Sequence, residues 1–174
     1  MESSQQKTLP TPLDLLVTQI FLITVALSHY GNQDLDLPEA EKDAQTMHDN
    51  FRKMGVPEDR ISHLVNPKKS AFFAATEKVK ESLLNGNGLR TQLFLHFAGH
   101  GMGNGGYIAK FGDEDDVNLS AECSALSKKF SNLWVLLIFD ACTVAQPVGP
   151  RMNLTGAAAA STYKTVTLSA CRIG

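Results

Sequence analysis

The sequence predicts an α/β fold, a mostly parallel sheet with helices on both faces. Three observations carry this. Apolar runs of strand length alternate with amphipathic helical stretches along the chain. Runs such as FLITVAL and LWVLLIF are nearly continuous in apolar residues, as strands covered on both sides require. The chain of 174 residues, with 43% hydrophobic content, is long enough for one domain with a sizeable core.

The elements follow in order. Residues 1–12, MESSQQKTLPTP, are polar and predict a disordered tail, leaving 13–174 as the folded domain. The stretch LDLLVTQIFLITVAL is interrupted by Asp14, Thr18 and Gln19 and is too short and polar to span a membrane. It also lacks the basic start and small-residue cleavage site of a signal peptide. Gln19–Ser28 is the first strand. A helix follows over 38–55, with Ala40, Ala44, Met47, Phe51 and Met54 on one stripe, Pro38 in its first turn and Gly55 past its last. RISHLVN is a short strand. Residues 70–86 form a second helix with Phe72, Thr76, Val79 and Leu83 inward. TQLFLHFAG is the third strand.

GGYIAKFG alternates weakly and reads as an exposed hairpin arm. LSAECSALSKKF is a third helix, with Cys123, Leu126 and Phe130 on its inner face. LWVLLIF is a buried strand that ends at Asp140. Residues 145–163 form a long connection punctuated by Gly and Pro, and KTVTLSA is the last strand.

Composition narrows the function classes. Sixteen Lys and Arg stand against eighteen Asp and Glu, a net charge of −2, so no strong field invites nucleic acid or an anionic membrane. The pairs Lys68-Lys69 and Lys128-Lys129 read as solvated surface. Three cysteines, Cys123, Cys142 and Cys171, have no CxxC spacing. This argues against a disulfide framework or zinc site and fits a reducing, cytoplasmic setting. The glycosylation-like tripeptides at Asn118 and Asn153 read as chance matches without a secretory signal.

In parallel sheets the chemistry sits beyond the carboxyl ends of the strands. Two such ends stand out, HFAGHG and DAC. A cysteine nucleophile needs a nearby base to form thiolate at neutral pH, and a His on the adjacent strand end supplies one. Gly99 and Gly101 permit close approach of a substrate backbone. The N–H groups of Gly101 and Cys142 are positioned to face a developing oxyanion. Cys142 follows His100 by 42 residues, enough for one arm, one helix and one strand, the path between neighbouring parallel strands. His96 reads as a packed core residue, His29 as a loop residue, His48 and His63 as surface, and Cys123 as structural.

LFLHFAGHG followed by LLIFDAC resembles the caspase-like cysteine peptidases of clan CD, peptidase family C14, in their metacaspase and paracaspase branch. FLITVALSHYGN with LPEAEKDAQTM is similar to that family's opening strand, loop and Asp-containing helix. The resemblance covers about residues 19–174. It implies the three-layer caspase-haemoglobinase fold without its final strand or strands, so that either the chain is a truncated or processed piece or the fold finishes differently. A p20-like part would run to about residue 145, an inter-subunit-like loop over 146–164, and a p10-like start over 165–174.

The resemblance further implies roles. His100 is the general base and acid, and Cys142 the nucleophile. Gly101 and Cys142 lend oxyanion-hole N–H groups. Asp43 and Asp140 line the S1 pocket and select Arg or Lys at P1 through a charge-assisted pair. True caspases carry Gln-Ala-Cys and take Asp, which DAC argues against. Many metacaspases need Ca²⁺ as an activator, and the run GDEDD offers Asp113, Asp115 and Asp116 as ligands; a solvated loop is the plain alternative. The chemistry itself needs no cofactor.

Metacaspases commonly continue Asp-Ser-Cys-His-Ser-Gly, from which DACTVAQ departs. The implied partners are protein and peptide substrates, self-cleavage near Arg151, and a second copy paired through the open edge of the last strand. Two rival readings stand beside this one. The CHAT branch of the clan places its nucleophile in an LSACxxG element, which TLSACRIG matches with Cys171. Caspase-like domains also serve as inactive scaffolds that assist an active relative.

Overall fold

The computed structural model describes residues 18–31, 33–86, 88–102, 107–111, 116–143 and 165–170. The expected tail at 1–12, the acidic residues Asp113 and Asp115, Arg151 with the connection 145–163, and Cys171 lie outside the described residues.

Five parallel strands make the body of the sheet. β1 spans Thr18–Ala26, β2 Ile61–Val65, β3 Arg90–Met102, β6 Leu133–Thr143 and β7 Thr165–Ala170. They lie in the order β2-β1-β3-β6-β7, each pair parallel. Two short strands, β4 (Ile108–Ala109) and β5 (Val117–Asn118), add an antiparallel ladder at the carboxyl end of β3. Helix α1 spans Pro38–Lys53, α2 Lys69–Asn85 and α3 Leu119–Lys129.

The helices divide between the two faces. Phe72, Ala75, Val79 and Leu83 of α2 and Leu119, Cys123 and Leu126 of α3 bury one face of the sheet. They meet the odd-numbered residues of β1, β3 and β6, including Ile23, Leu95, Phe97, Leu137 and Phe139. On the other face α1 packs through Ala40 and Ala44 against Ala26 and Ala98, and through Phe51 against Leu22. The run of alanines brings α1 close to the strands, directly over the sheet's carboxyl end. The expected three-layer α/β arrangement is therefore present.

Helix ends follow ordinary chemistry. Pro38 occupies the first turn of α1, and Asn118 accepts the Ala121 N–H (3.0 Å) to cap α3. Met54 departs from the predicted stripe. α1 stops at Lys53, and Met54 caps it with 67% of its surface exposed.

Two further differences concern the site. The predicted third and fourth strands stop at Gly99 and Phe139, but β3 continues to Met102 and β6 to Thr143. Their pairing is unbroken from Thr91↔Leu133 to Gly101↔Thr143, so the ladder overrides the weak strand preference of glycine. The hairpin arm is also not exposed. Ala109 and Phe111 are buried, and Phe111 packs beside Phe72 and Phe97.

Candidate active site

The extended ladder decides what the strands deliver. His100 of β3 and Cys142 of β6 are Cα partners in adjacent parallel strands, and Ala98 is level with Asp140. Neighbouring strands lie about 4.8 Å apart. Residues 42 positions apart in sequence thus share one rung at the carboxyl end of the sheet.

His100 is held from three sides by the loop after β1. Its backbone N–H donates to the Tyr30 hydroxyl (2.6 Å), and the Tyr30 ring lies 4.5 Å from its imidazole, centroid to centroid. Its Nε2 sits 2.8 Å from the Leu35 carbonyl oxygen. A carbonyl only accepts, so Nε2 must carry the proton. In the neutral ring Nδ1 is then the basic nitrogen. That atom is buried and has no hydrogen-bond partner among the described residues. A basic nitrogen kept free, on a ring fixed through its other nitrogen, is the geometry a general base requires.

The two glycines have separate steric reasons. A Cβ on Gly99, where φ is +157°, would come within 2.7 Å of the Tyr30 hydroxyl. A Cβ on Gly101 would come within 2.3 Å of the Phe139 ring. Both distances are inside contact, so a side chain at either position would require the Tyr30 hydroxyl or the Phe139 ring to shift.

A polar network fixes the supporting loop. The Asp36 carboxylate accepts the Tyr30 N–H (3.0 Å) and lies 3.2 Å from His29 Nδ1. These bonds, the Tyr30 N–H foremost, hold the Asp36 carboxyl below its usual range. The Asn66 side-chain oxygen accepts the N–H groups of Ser28 (2.8 Å) and His29 (3.1 Å). Its nitrogen donates to Ser28 Oγ (2.8 Å) and Glu41 (3.1 Å). Ser28 Oγ donates to Glu41 as well, which with Asn66 lowers the Glu41 carboxyl.

Asp43 and Asp140 share a face of the sheet. Asp140 alternates with buried Phe139 and Ala141, whose side is taken by the α3 layer. Asp43 precedes Ala44, which packs on Ala98, and its charge is felt by His96. Both residues are half-buried. His96 is itself core, as expected, with Nδ1 2.9 Å from Thr24 Oγ1; burial pushes its pKa down to about 4.

His48 of α1 and His63 of β2 are half-buried rather than plain surface, with rings 5.2 Å apart. Cys123 is fully buried, and burial pushes its thiol up to about 12, which makes it inert. Of the expected calcium ligands only Asp116 is described, exposed just ahead of β5. The described residues contain no group of three or more candidate metal ligands.

A family profile for the caspase domain matches residues 21–171. The chain belongs to the caspase-domain family. Its members are cysteine hydrolases, and the match spans every described strand and helix beyond the first residues of β1. Among solved structures, the Drosophila initiator caspase Dronc superposes with a TM-score of 0.55 at 19% identity, over 80% of this chain and 58% of that one. A structure of pro-sf-caspase-1 is matched at a TM-score of 0.47 and 10% identity, over 79% of this chain and 51% of that one. The chain thus spans little more than half the length of the caspase structures it matches. No match was found among curated proteins.

The caspase-like assignment from HFAGHG and DAC is therefore correct at the level of family and fold. No helix among the described residues is long and apolar enough to cross a membrane. Sequence reasoning missed the Leu35 carbonyl, for which no signal exists because any residue supplies a carbonyl. It also gave Tyr30 no role. The clue there was an aromatic residue just after a strand, facing a glycine on the neighbouring strand.

Proposed function

We propose that this caspase-domain chain is a cysteine endopeptidase that cleaves after basic residues, with His100 as base and Cys142 as nucleophile. The observation that carries the reading is the shared rung of His100 and Cys142, with Nε2 of the imidazole tied to Leu35 and Nδ1 left open.

The chemistry runs in two halves. Nδ1 takes the proton of the Cys142 thiol, and the thiolate attacks the scissile carbonyl carbon. The N–H groups of Gly101 and Cys142 receive the oxyanion. The C–N bond breaks as imidazolium Nδ1–H protonates the leaving amine, giving a thioester. A water molecule then gives a proton to Nδ1 and attacks the thioester, and the Cys142 sulfur leaves and regains the proton. Throughout, the Leu35 carbonyl stabilises the ring when it is charged and keeps Nδ1 turned to its task.

Asp43 and Asp140, on one face beside this rung, are the carboxylates for an Arg or Lys side chain at P1. The P1 preference distinguishes this from an Asp-directed caspase. Calcium activation would draw on Asp113, Asp115 and Asp116, and no step above passes through it. The outer edge of β7 has no strand partner among the described residues, which suits pairing with a second copy.

One observation favours a second nucleophile. β7 lies beside β6 with Ala170 level with Asp140, and Cys171 is the next residue in the sequence. A positional-scanning peptide library, with and without Ca²⁺, tests the proposal. Turnover confined to Arg and Lys at P1 is expected. Preference for Asp at P1 overturns the S1 assignment. No turnover, together with no preferential alkylation of any cysteine by iodoacetamide, favours an inactive scaffold.

A further inference from the structure

We propose that Tyr30 is a positioning residue for His100, holding both its backbone and its ring from the loop that also supplies the Leu35 carbonyl. This deepens the peptidase reading and rests on His100 being its base.

Four observations converge. The Tyr30 hydroxyl accepts the His100 N–H at 2.6 Å, so it fixes the strand at the residue that carries the imidazole. The two rings are tilted by 52° with centroids 4.5 Å apart, so the phenol limits the imidazole's rotation. Gly99, the residue before His100, leaves the space the hydroxyl occupies; a Cβ there would stand 2.7 Å from it. Finally, the Tyr30 N–H is bound by Asp36 at 3.0 Å, next in the chain to Leu35. The loop is closed on itself, and its two ends grip His100 at the backbone and at Nε2.

The grip has a chemical purpose. A His whose χ angles are free presents either nitrogen to a thiol, and only Nδ1 is free to serve while Leu35 holds Nε2. Tyr30 and Leu35 together select that tautomer and that orientation before substrate arrives. Burial raises the Tyr30 pKa to about 12, so the phenol remains neutral through the working pH range. It therefore holds His100 without adding a charge.

Tyr30→Phe is the direct test, since it keeps the ring and removes the hydroxyl. The expected result is a fall in kcat of about tenfold on the best library peptide with KM within about twofold. Long-range ¹⁵N–¹H NMR of the His100 ring should show a single Nε2–H tautomer in the wild type and a mixture of both tautomers in Tyr30→Phe. Gly99→Ala, which displaces the hydroxyl while keeping Tyr30, should give the same mixture; its spectrum decides the matter if Tyr30→Phe fails to fold. A Tyr30→Phe protein with the wild-type single tautomer overturns the proposal, whatever its kcat. If the wild type cleaves no peptide, the peptidase reading fails, but the tautomer comparison still decides the role of Tyr30.

Discussion

His96 and His100 lie four positions apart on β3 and meet opposite surroundings. His96 is enclosed beneath α1 with Thr24 as its partner, and burial lowers its pKa to about 4 against an ordinary 6.5. Above pH 6.5 it is neutral folded or unfolded and contributes no pH dependence. As the pH falls from 6.5 to 4, the unfolded chain gains a proton that the folded chain refuses, so stability drops. The full loss is about 3 kcal/mol. Urea midpoints at pH 7, 5.5 and 4.5 should therefore decline more steeply for the wild type than for His96→Gln. Equal slopes would show that His96 is not the buried neutral group described. His100, in contrast, keeps one nitrogen tied and one open. His100→Ala should remove at least about a hundredfold of kcat, measured on an Arg peptide, with the fold intact by circular dichroism.

The two carboxylates are tested at the same scale. Asp140→Asn should lower kcat/KM for an Arg peptide about 30- to 100-fold, the loss of about 2–3 kcal/mol expected for one charged hydrogen bond. Asp43→Asn should act in the same direction. Unchanged kcat/KM in both variants would remove them from S1.

At the scale of elements, the site depends on how closely α1 approaches the sheet. Ala40 and Ala44 meet Ala26 and Ala98, four small residues where helix and strands need to be near one another. Ala44→Leu would force them apart at a fully buried position, at a cost of about 1–3 kcal/mol, read as a lowered Tm. Phe72→Ala on the opposite face should cost more, about 3–5 kcal/mol, because Phe72 is fully enclosed between Phe73 and Phe111. The helical stripes were readable from spacing alone. Phe72, Thr76, Val79 and Leu83 are all buried as their period requires. Strand ends were not readable, because HGM and DACT contain poor strand formers. They are held extended by partners from distant parts of the chain, which no local pattern records.

For the molecule as a whole, the family and fold were legible because two short motifs fell at the ends of buried runs separated by the length of one crossover. The position of His100 beside Cys142 was legible for the same reason. Its support was not. Tyr30 and Leu35 reach His100 across 70 and 65 positions of sequence, and one of them acts through its backbone. What the strands place on one rung is His100 and Cys142, and the peptidase reading stands on that pairing. Alkylation by iodoacetamide at neutral pH, located by mass spectrometry in the wild type, Cys142→Ala, Cys171→Ala and His100→Ala, tests it most directly. The account predicts rapid labelling of Cys142, lost in His100→Ala and retained in Cys171→Ala. Rapid, His100-dependent labelling of Cys171 that survives Cys142→Ala would contradict it.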